Sequence, residues 1–185
     1  RTVDKLDKIG ADKVEFLNEN ANNEIPVCTT IVTNFVNKNV DLIMANATPA
    51  LTAAVNGTST IPVLGTSITE YGTALGIENF NGLVGGNVSG TSDLAPLDQQ
   101  AAMITEWFPE AKTVGLLYCS AEANSQYQVD VVKAELEALG YTATLYSFSD
   151  SNDLAAVTES AVAASDVIYV PTDNTVAANT GIIDN

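Results

Sequence analysis

One local pattern occurs twice in this chain. Residues 40–49, VDLIMANATP, form an apolar run that ends in small and hydroxyl residues and then a helix start. Residues 165–174, SDVIYVPTDN, read the same way. Each predicts a buried parallel strand whose C-terminal end brings polar side chains and a helix N-terminus to one spot. In open α/β sheets ligands bind at that edge. Two such edges, about a domain length apart, predict two similar lobes facing each other across a cleft. A single α/β domain with two ordinary strands is the alternative that the pattern leaves open.

The intervening periodicity supports an α/β chain. Val3, Leu6 and Ile9 recur at helical spacing before Gly10. Residues 13–17 predict a short strand. Pro26 suits a first helical position, and Val27, Ile31, Val32, Phe35 and Val36 make one apolar face. Thr48 and Pro49 predict a cap and a first helical residue, with the helix ending near Asn56. Residues 61–65 are strand again. This alternation predicts parallel sheets covered on both faces. Glycines at 72, 76, 82, 85, 86 and 90 then break the periodicity, which puts a passage between lobes at residues 86–93. The lobes would be 1–90 and 91–185. In the second, residues 113–118, 141–148 and 166–170 predict strands. Helices are predicted from Pro96, over 124–139 and over 153–164. The first helix has no strand before it, and the last segment stops soon after a strand. The expectation is therefore a chain truncated at both ends.

Composition removes several classes of function. Seven basic against 23 acidic residues give a formal net charge of -16, which argues against nucleic acid and against anionic lipid. The chain has no His, so Ser-His triads and the usual zinc sites are excluded. Cys28 and Cys119, the only cysteines, fall in different predicted lobes and make neither a bridge nor a metal site. The glycine segment lacks the GxGxxG register and the P-loop lysine. No cofactor or metal is expected. Polar residues at strand ends remain: Thr48, Ser67, Thr69 and Glu70, then Ser120, Glu122, Asn124, Ser125, Thr172, Asp173 and Asn174. Hydroxyls and free N–H groups at helix starts suit a carboxylate, and acidic groups beside them suit an ammonium. Together they fit a zwitterion. Taken singly, each is as well explained as a helix cap or turn former.

Several segments resemble one family. These are residues 41–50 (DLIMANATPA), 61–63 with 66–70 (IPV, TSITE), 86–93 (GNVSGTSD), 115–125 (GLLYCSAEANS) and 169–176 (YVPTDNTV). They are similar to the substrate-binding proteins of ABC importers, in the branch associated with tryptophan and tyrosine uptake. The resemblance implies the periplasmic-binding-protein fold of the first type: two Rossmann-like lobes, joined by three crossovers, that close on ligand. It implies a solute receptor without catalysis, held outside the cytoplasm in the periplasm or by a lipid anchor, that hands an amino acid to a membrane permease. Tryptophan, tyrosine or phenylalanine would be the ligand. The implied binding residues are Thr48, Ser67, Thr69, Glu70, Tyr71, Ser92, Asp93, Ser120, Asn124, Ser125, Asp173 and Asn174. Asp173 would pair with the ammonium. Ser67, Thr69, Ser120 and Ser125 would hold the carboxylate, and Tyr71 would stack on an aromatic side chain. Glu70-Tyr71 stands where the family often has Asp-Pro. Two rivals belong to other classes. One is a racemase- or lyase-like enzyme using Glu70 and Asp173 as an acid–base pair or Cys119 as nucleophile. The other is the ligand-sensing domain of a regulator.

Overall fold

A computed structural model describes residues 13–22 and 24–183. The helix expected around Val3 to Gly10 lies outside the described residues. Residues 13–17 form no strand; the chain there is irregular apart from a 3-10 residue at Lys13.

Helix α1 (Ile25–Asn37) carries Pro26 in its first turn, where a missing N–H costs nothing, and buries Cys28 and Val32. Strand β1 (Ile43–Asn46) leads into α2 (Thr48–Gly57), and β2 (Val63–Ile68) into the short α3 (Tyr71–Leu75). Strand β3 (Val88–Ser92) completes a parallel sheet of order β1-β2-β3. Residues 88–92, read from sequence as part of a passage between lobes, are thus a strand of the first sheet. A Cβ at Gly90 would overlap the Gly65 carbonyl oxygen and the Tyr71 hydroxyl. Glycine lets β3 come that close, and φ at this residue is 153°.

The second sheet follows α4 (Leu97–Trp107). It consists of β4 (Thr113–Cys119), β5 (Thr142–Phe148) and β6 (Val167–Tyr169), in the parallel order β5-β4-β6. Between them run α5 (Ala123–Ala138) and α6 (Leu154–Ala164). After β6 come α7 (Asn174–Ala178) and α8 (Thr180–Ile183).

The two sheets are covered differently. Central strand β4 is buried along nearly its whole length. Its side chains alternate: Val114, Leu116 and Tyr118 pack with residues of α4 and α5, and Leu117 and Cys119 with Leu154 and Val176. In the first sheet Ile43, Ala45 and Val63 pack against Cys28, Val32, Leu51 and Ala54 of α1 and α2. Among the described residues the opposite face is open at Met44 and Leu64. Met44 is 71% exposed and Leu64 40%. Helices cover both faces of the second sheet, as expected, and α1 and α2 cover one face of the first. Among the described residues no helix lies over the other side of β1 and β2.

At the N-terminal end of the second sheet, one carboxylate joins two strands. Asp166 Oδ2 accepts from the Lys112 and Thr113 N–H groups at 2.9 Å each and from the Thr113 hydroxyl at 2.8 Å. The Lys112 and Thr113 amides hold its carboxyl below the ordinary Asp range. A depressed acid contributes stability above its unfolded-state pKa, and that contribution is lost as pH falls through the folded value. Asp166→Asn is thus expected to destabilise the protein at pH 7, with the deficit shrinking below about pH 4. Urea titrations at the two pH values check this. An equal deficit at both would contradict it.

Candidate functional site

The C-terminal edge of the second sheet is organised by a buried carboxylate. After β4 the chain turns through Ser120 and Ala121 to Glu122, which is 4% exposed and stands at the N-cap position of α5. Its side chain does not cap its own helix. It reaches the start of α7, whose first N–H groups lack intrahelical acceptors. Oε1 accepts from the Thr175 N–H at 2.8 Å and its hydroxyl at 2.7 Å. Oε2 accepts from the Asn174 N–H at 3.0 Å, from Asn174 Nδ2 at 2.6 Å and from Asn124 Nδ2 at 3.3 Å.

Asp173 lies beside it, also 4% exposed. It is the N-cap of α7: Oδ1 accepts from the Val176 N–H at 2.9 Å, and Oδ2 from the Cys119 N–H at 2.7 Å. Burial pushes its carboxyl above the ordinary range and the charge of Glu122 pushes it further, against the pull of those two amides. No cation among the described residues pairs with either carboxylate. Among the described residues the ion pair is Lys133–Glu137, on the exposed side of α5.

The loop carrying Asp173 is clamped from α5. Gln128, 1% exposed, donates Nε2 to the Thr172 carbonyl at 3.1 Å and accepts the Thr172 N–H at 3.1 Å. Asn124 Nδ2 donates to the same carbonyl at 3.0 Å. Asn124 and Gln128 are four residues apart, so they share one helix face.

The first sheet ends in strained backbone. Ala47, between β1 and α2, has φ 76° and ψ 156°, a region that costs a residue with a side chain about 1 to 3 kcal/mol. This Ala47, not Thr48, is the N-cap of α2. Ser67 near the end of β2 also has positive φ, at 54°. Its side chain is exposed, while Thr48 and Thr69 are buried. Ser92 donates Oγ to the Thr69 carbonyl at 2.8 Å, and the Asp93 N–H binds the Ile68 carbonyl at 3.0 Å. A cavity of about 490 Å³ is lined mainly by α1 and β1, among them Val32, Phe35 and Ala45, by the turn at Asn46, Ala47 and Pro49, and by Asn174 from the edge of the second sheet. Helix α3 packs on α5.

The structure thus gathers Asn124, Ser125, Asp173 and Asn174 around Glu122. It draws other expected site residues into different work. Both oxygens of Glu70 accept N–H groups of its own helix, Gly72 at 2.8 Å and Thr73 at 2.6 Å. Burial raises its carboxyl, the two amides outweigh that, and the net shift is downward. Glu70 is a helix cap, not a free acid or base. Tyr71 is 5% exposed in the first core, its ring beside Gly65 and its hydroxyl donating to the Thr91 carbonyl at 3.3 Å. Its ring is therefore not presented for stacking on a ligand. Ser120 donates its hydroxyl to the Phe148 carbonyl at 3.1 Å. Burial, with Asp173 and Glu122 acting the same way, keeps the Cys119 thiol protonated, which opposes a nucleophile. Glu122 stands among the strand-end polar residues read from sequence but not among the implied binding residues, and Gln128 was missed altogether. For Glu122 the available signal was an acid directly before a helix start at a strand end. Gln128 gave none, because an internal helical Gln reads as surface.

A family model described as ABC transporter substrate binding protein matches residues 3–184. A tyrosine-binding protein of Clostridioides difficile (strain R20291) is 35% identical over 174 residues, covering 92% of this chain. The chain spans about half (49%) of that relative's length. Among solved structures, an ABC domain from Streptococcus pneumonia in complex with L-Trp superposes with a TM-score of 0.90 at 32% identity, over 98% of this chain and 62% of that one. The ligand-free, open structure of a substrate binding protein with adhesive properties from Clostridium difficile covers the same shares at 34% identity, with a TM-score of 0.57.

Proposed function

The chain belongs to the ABC transporter substrate binding protein family, with its parallel sheets in the periplasmic-binding-protein type I fold, and from that premise we propose that it captures an amino acid for an importer. The observation that carries this reading is the buried pair Glu122 and Asp173, with no protein cation beside it among the described residues. A site of that charge calls for a cationic group, and an amino acid supplies an ammonium. Asp173 is its partner in this reading. The exposed Ser67 and the strained turn at Ala47, with the α2 N-terminus behind it, answer the carboxylate.

The ligand is an aromatic amino acid, a choice supported by the tyrosine-binding relative and the L-Trp complex. The two sheets belong to two lobes that meet after β3 (Val88–Ser92), just past the boundary expected at residue 90, and that close on the ligand. That motion is supported by the far closer superposition on the L-Trp complex than on the open relative. The receptor works outside the cytoplasm and delivers to a membrane permease, with no turnover of its own. Among the described residues no helix is long and apolar enough to cross a membrane.

A thermal-shift panel of amino acids, sugars and simple carboxylates tests the reading. L-Tryptophan or L-tyrosine is expected to raise the unfolding midpoint, while indole and phenol derivatives without the amine and carboxylate leave it unmoved. A shift with sugars alone would overturn it.

A further inference from the structure

We propose that Gln128 is a positioning residue for the ligand amine: from α5 it holds the backbone that carries Asp173, and through Asp173 it sets affinity. The inference rests on the amino-acid reading above, in which Asp173 meets the ammonium. It adds a residue that acts through the main chain rather than by touching the ligand. Gln128 is 1% exposed and lies one turn before Val132 on the buried face of α5. Both polar atoms of its side chain are engaged. Nε2 donates to the Thr172 carbonyl at 3.1 Å and to the Asn124 main-chain carbonyl at 3.0 Å, and Oε1 accepts the Thr172 N–H at 3.1 Å. That pattern fixes the amide's orientation, since turning it over would set Oε1 against two carbonyls and Nε2 against an N–H.

Residues 170–173 join β6 to α7 without helix or strand of their own. Such a stretch has no ladder to satisfy its main-chain groups. Gln128 supplies the substitute. It meets both polar groups of Thr172, as a paired strand would, from a helix packed on β4. Its bond to the Asn124 carbonyl, one turn earlier in the same helix, locks the side chain that does so. Asp173 is the next residue, so the clamp places its main chain. The Val176 and Cys119 N–H groups then orient its two carboxylate oxygens. A hydrocarbon side chain at 128 would fill the same volume with no amide to desolvate. The amide serves the loop, and the buried acid of that loop is Asp173. A binding group needs such support from a locked neighbour to keep its geometry.

Calorimetry of L-tryptophan with the unaltered protein, Gln128→Met, Asp173→Asn and the double variant tests this, with unfolding midpoints of the unliganded proteins alongside. Gln128→Met keeps the length and removes both contacts to Thr172. It is expected to weaken binding about tenfold in the unaltered background, the effect of losing hydrogen bonds of ordinary strength. In the Asp173→Asn background the same change is expected to cost less than about twofold, because a residue that works through another adds little once that one is gone. A lowered midpoint with affinity left in place is what a structural role alone gives, and it overturns the proposal. An equal loss of affinity in both backgrounds also overturns it. Should Gln128→Met not fold, Gln128→Ala takes its place, since the vacated volume lets water meet the Thr172 groups without fixing them. If the unaltered protein binds neither L-tryptophan nor L-tyrosine, the receptor reading itself fails. If it binds and the Gln128 variants bind as tightly, only this inference fails.

Discussion

Glu122→Ala is expected to destabilise the protein by about 3 to 5 kcal/mol, the range for leaving a buried charged network without one of its members. The effect is large because Glu122 is a shared acceptor. The substitution removes the acceptor of the Asn174 and Thr175 N–H groups, of the Thr175 hydroxyl and of the Asn174 amide, with Thr175 buried and Asn174 half-buried. Each buried donor left alone costs roughly 1 to 3 kcal/mol, and local relaxation recovers part of the sum. One term runs the other way, since Asp173 loses a like-charged neighbour. Glu122→Gln keeps the shape but sets an NH2 against the same donors, and should lie between the two. Urea unfolding with an unchanged slope measures the loss. A deficit below about 1 kcal/mol would mean that the start of α7 does not depend on this side chain.

Asp173→Ala is expected to weaken amino-acid binding by about 2 to 5 kcal/mol, the range for truncating one member of a buried charge pair. It also removes the cap of α7, worth about 1 kcal/mol of stability. Asp166→Asn, at the opposite end of β6, should leave affinity unchanged. Equal effects on affinity would put the binding edge at the wrong end of the sheet. The pH dependence carries a sign. Asp173 is a buried acid raised above its ordinary value, so its ionisation costs stability as pH climbs from the unfolded value through the folded one. An arriving ammonium favours the ionised form. Binding should therefore release protons in that window, and affinity should rise with pH across it. Asp173→Asn should flatten the dependence.

Much of this architecture was legible in the residues. The repeated strand-to-helix junction located β1 with α2 and β6 with α7, because an apolar run followed by Thr-Pro or Asp-Asn has few other ways to fold. Pro26 and Pro96 marked helix starts, since proline fixes φ and needs no donor. Three things were not legible. Residues 88–92 read as a linker because Gly90 breaks the pattern, yet it is the missing side chain that lets the Tyr71 hydroxyl sit over the paired Gly65 and Gly90 of β2 and β3. Glu70 read as a ligand group because it follows a strand, and Tyr71 through the family resemblance, whereas Tyr71 fills a core and Glu70 caps its own short helix. Glu122 and Gln128 act on residues about 50 and 44 positions away, and local pattern carries no record of such pairings. The strain at Ala47 was hidden for a related reason: nothing in an Ala marks positive φ.

Calorimetry of L-tryptophan with the protein, followed by recovery of the ligand, tests the central claim most directly. One ligand bound per chain and recovered unchanged is the predicted result. A converted product, or heat from a sugar and none from any amino acid, would contradict it.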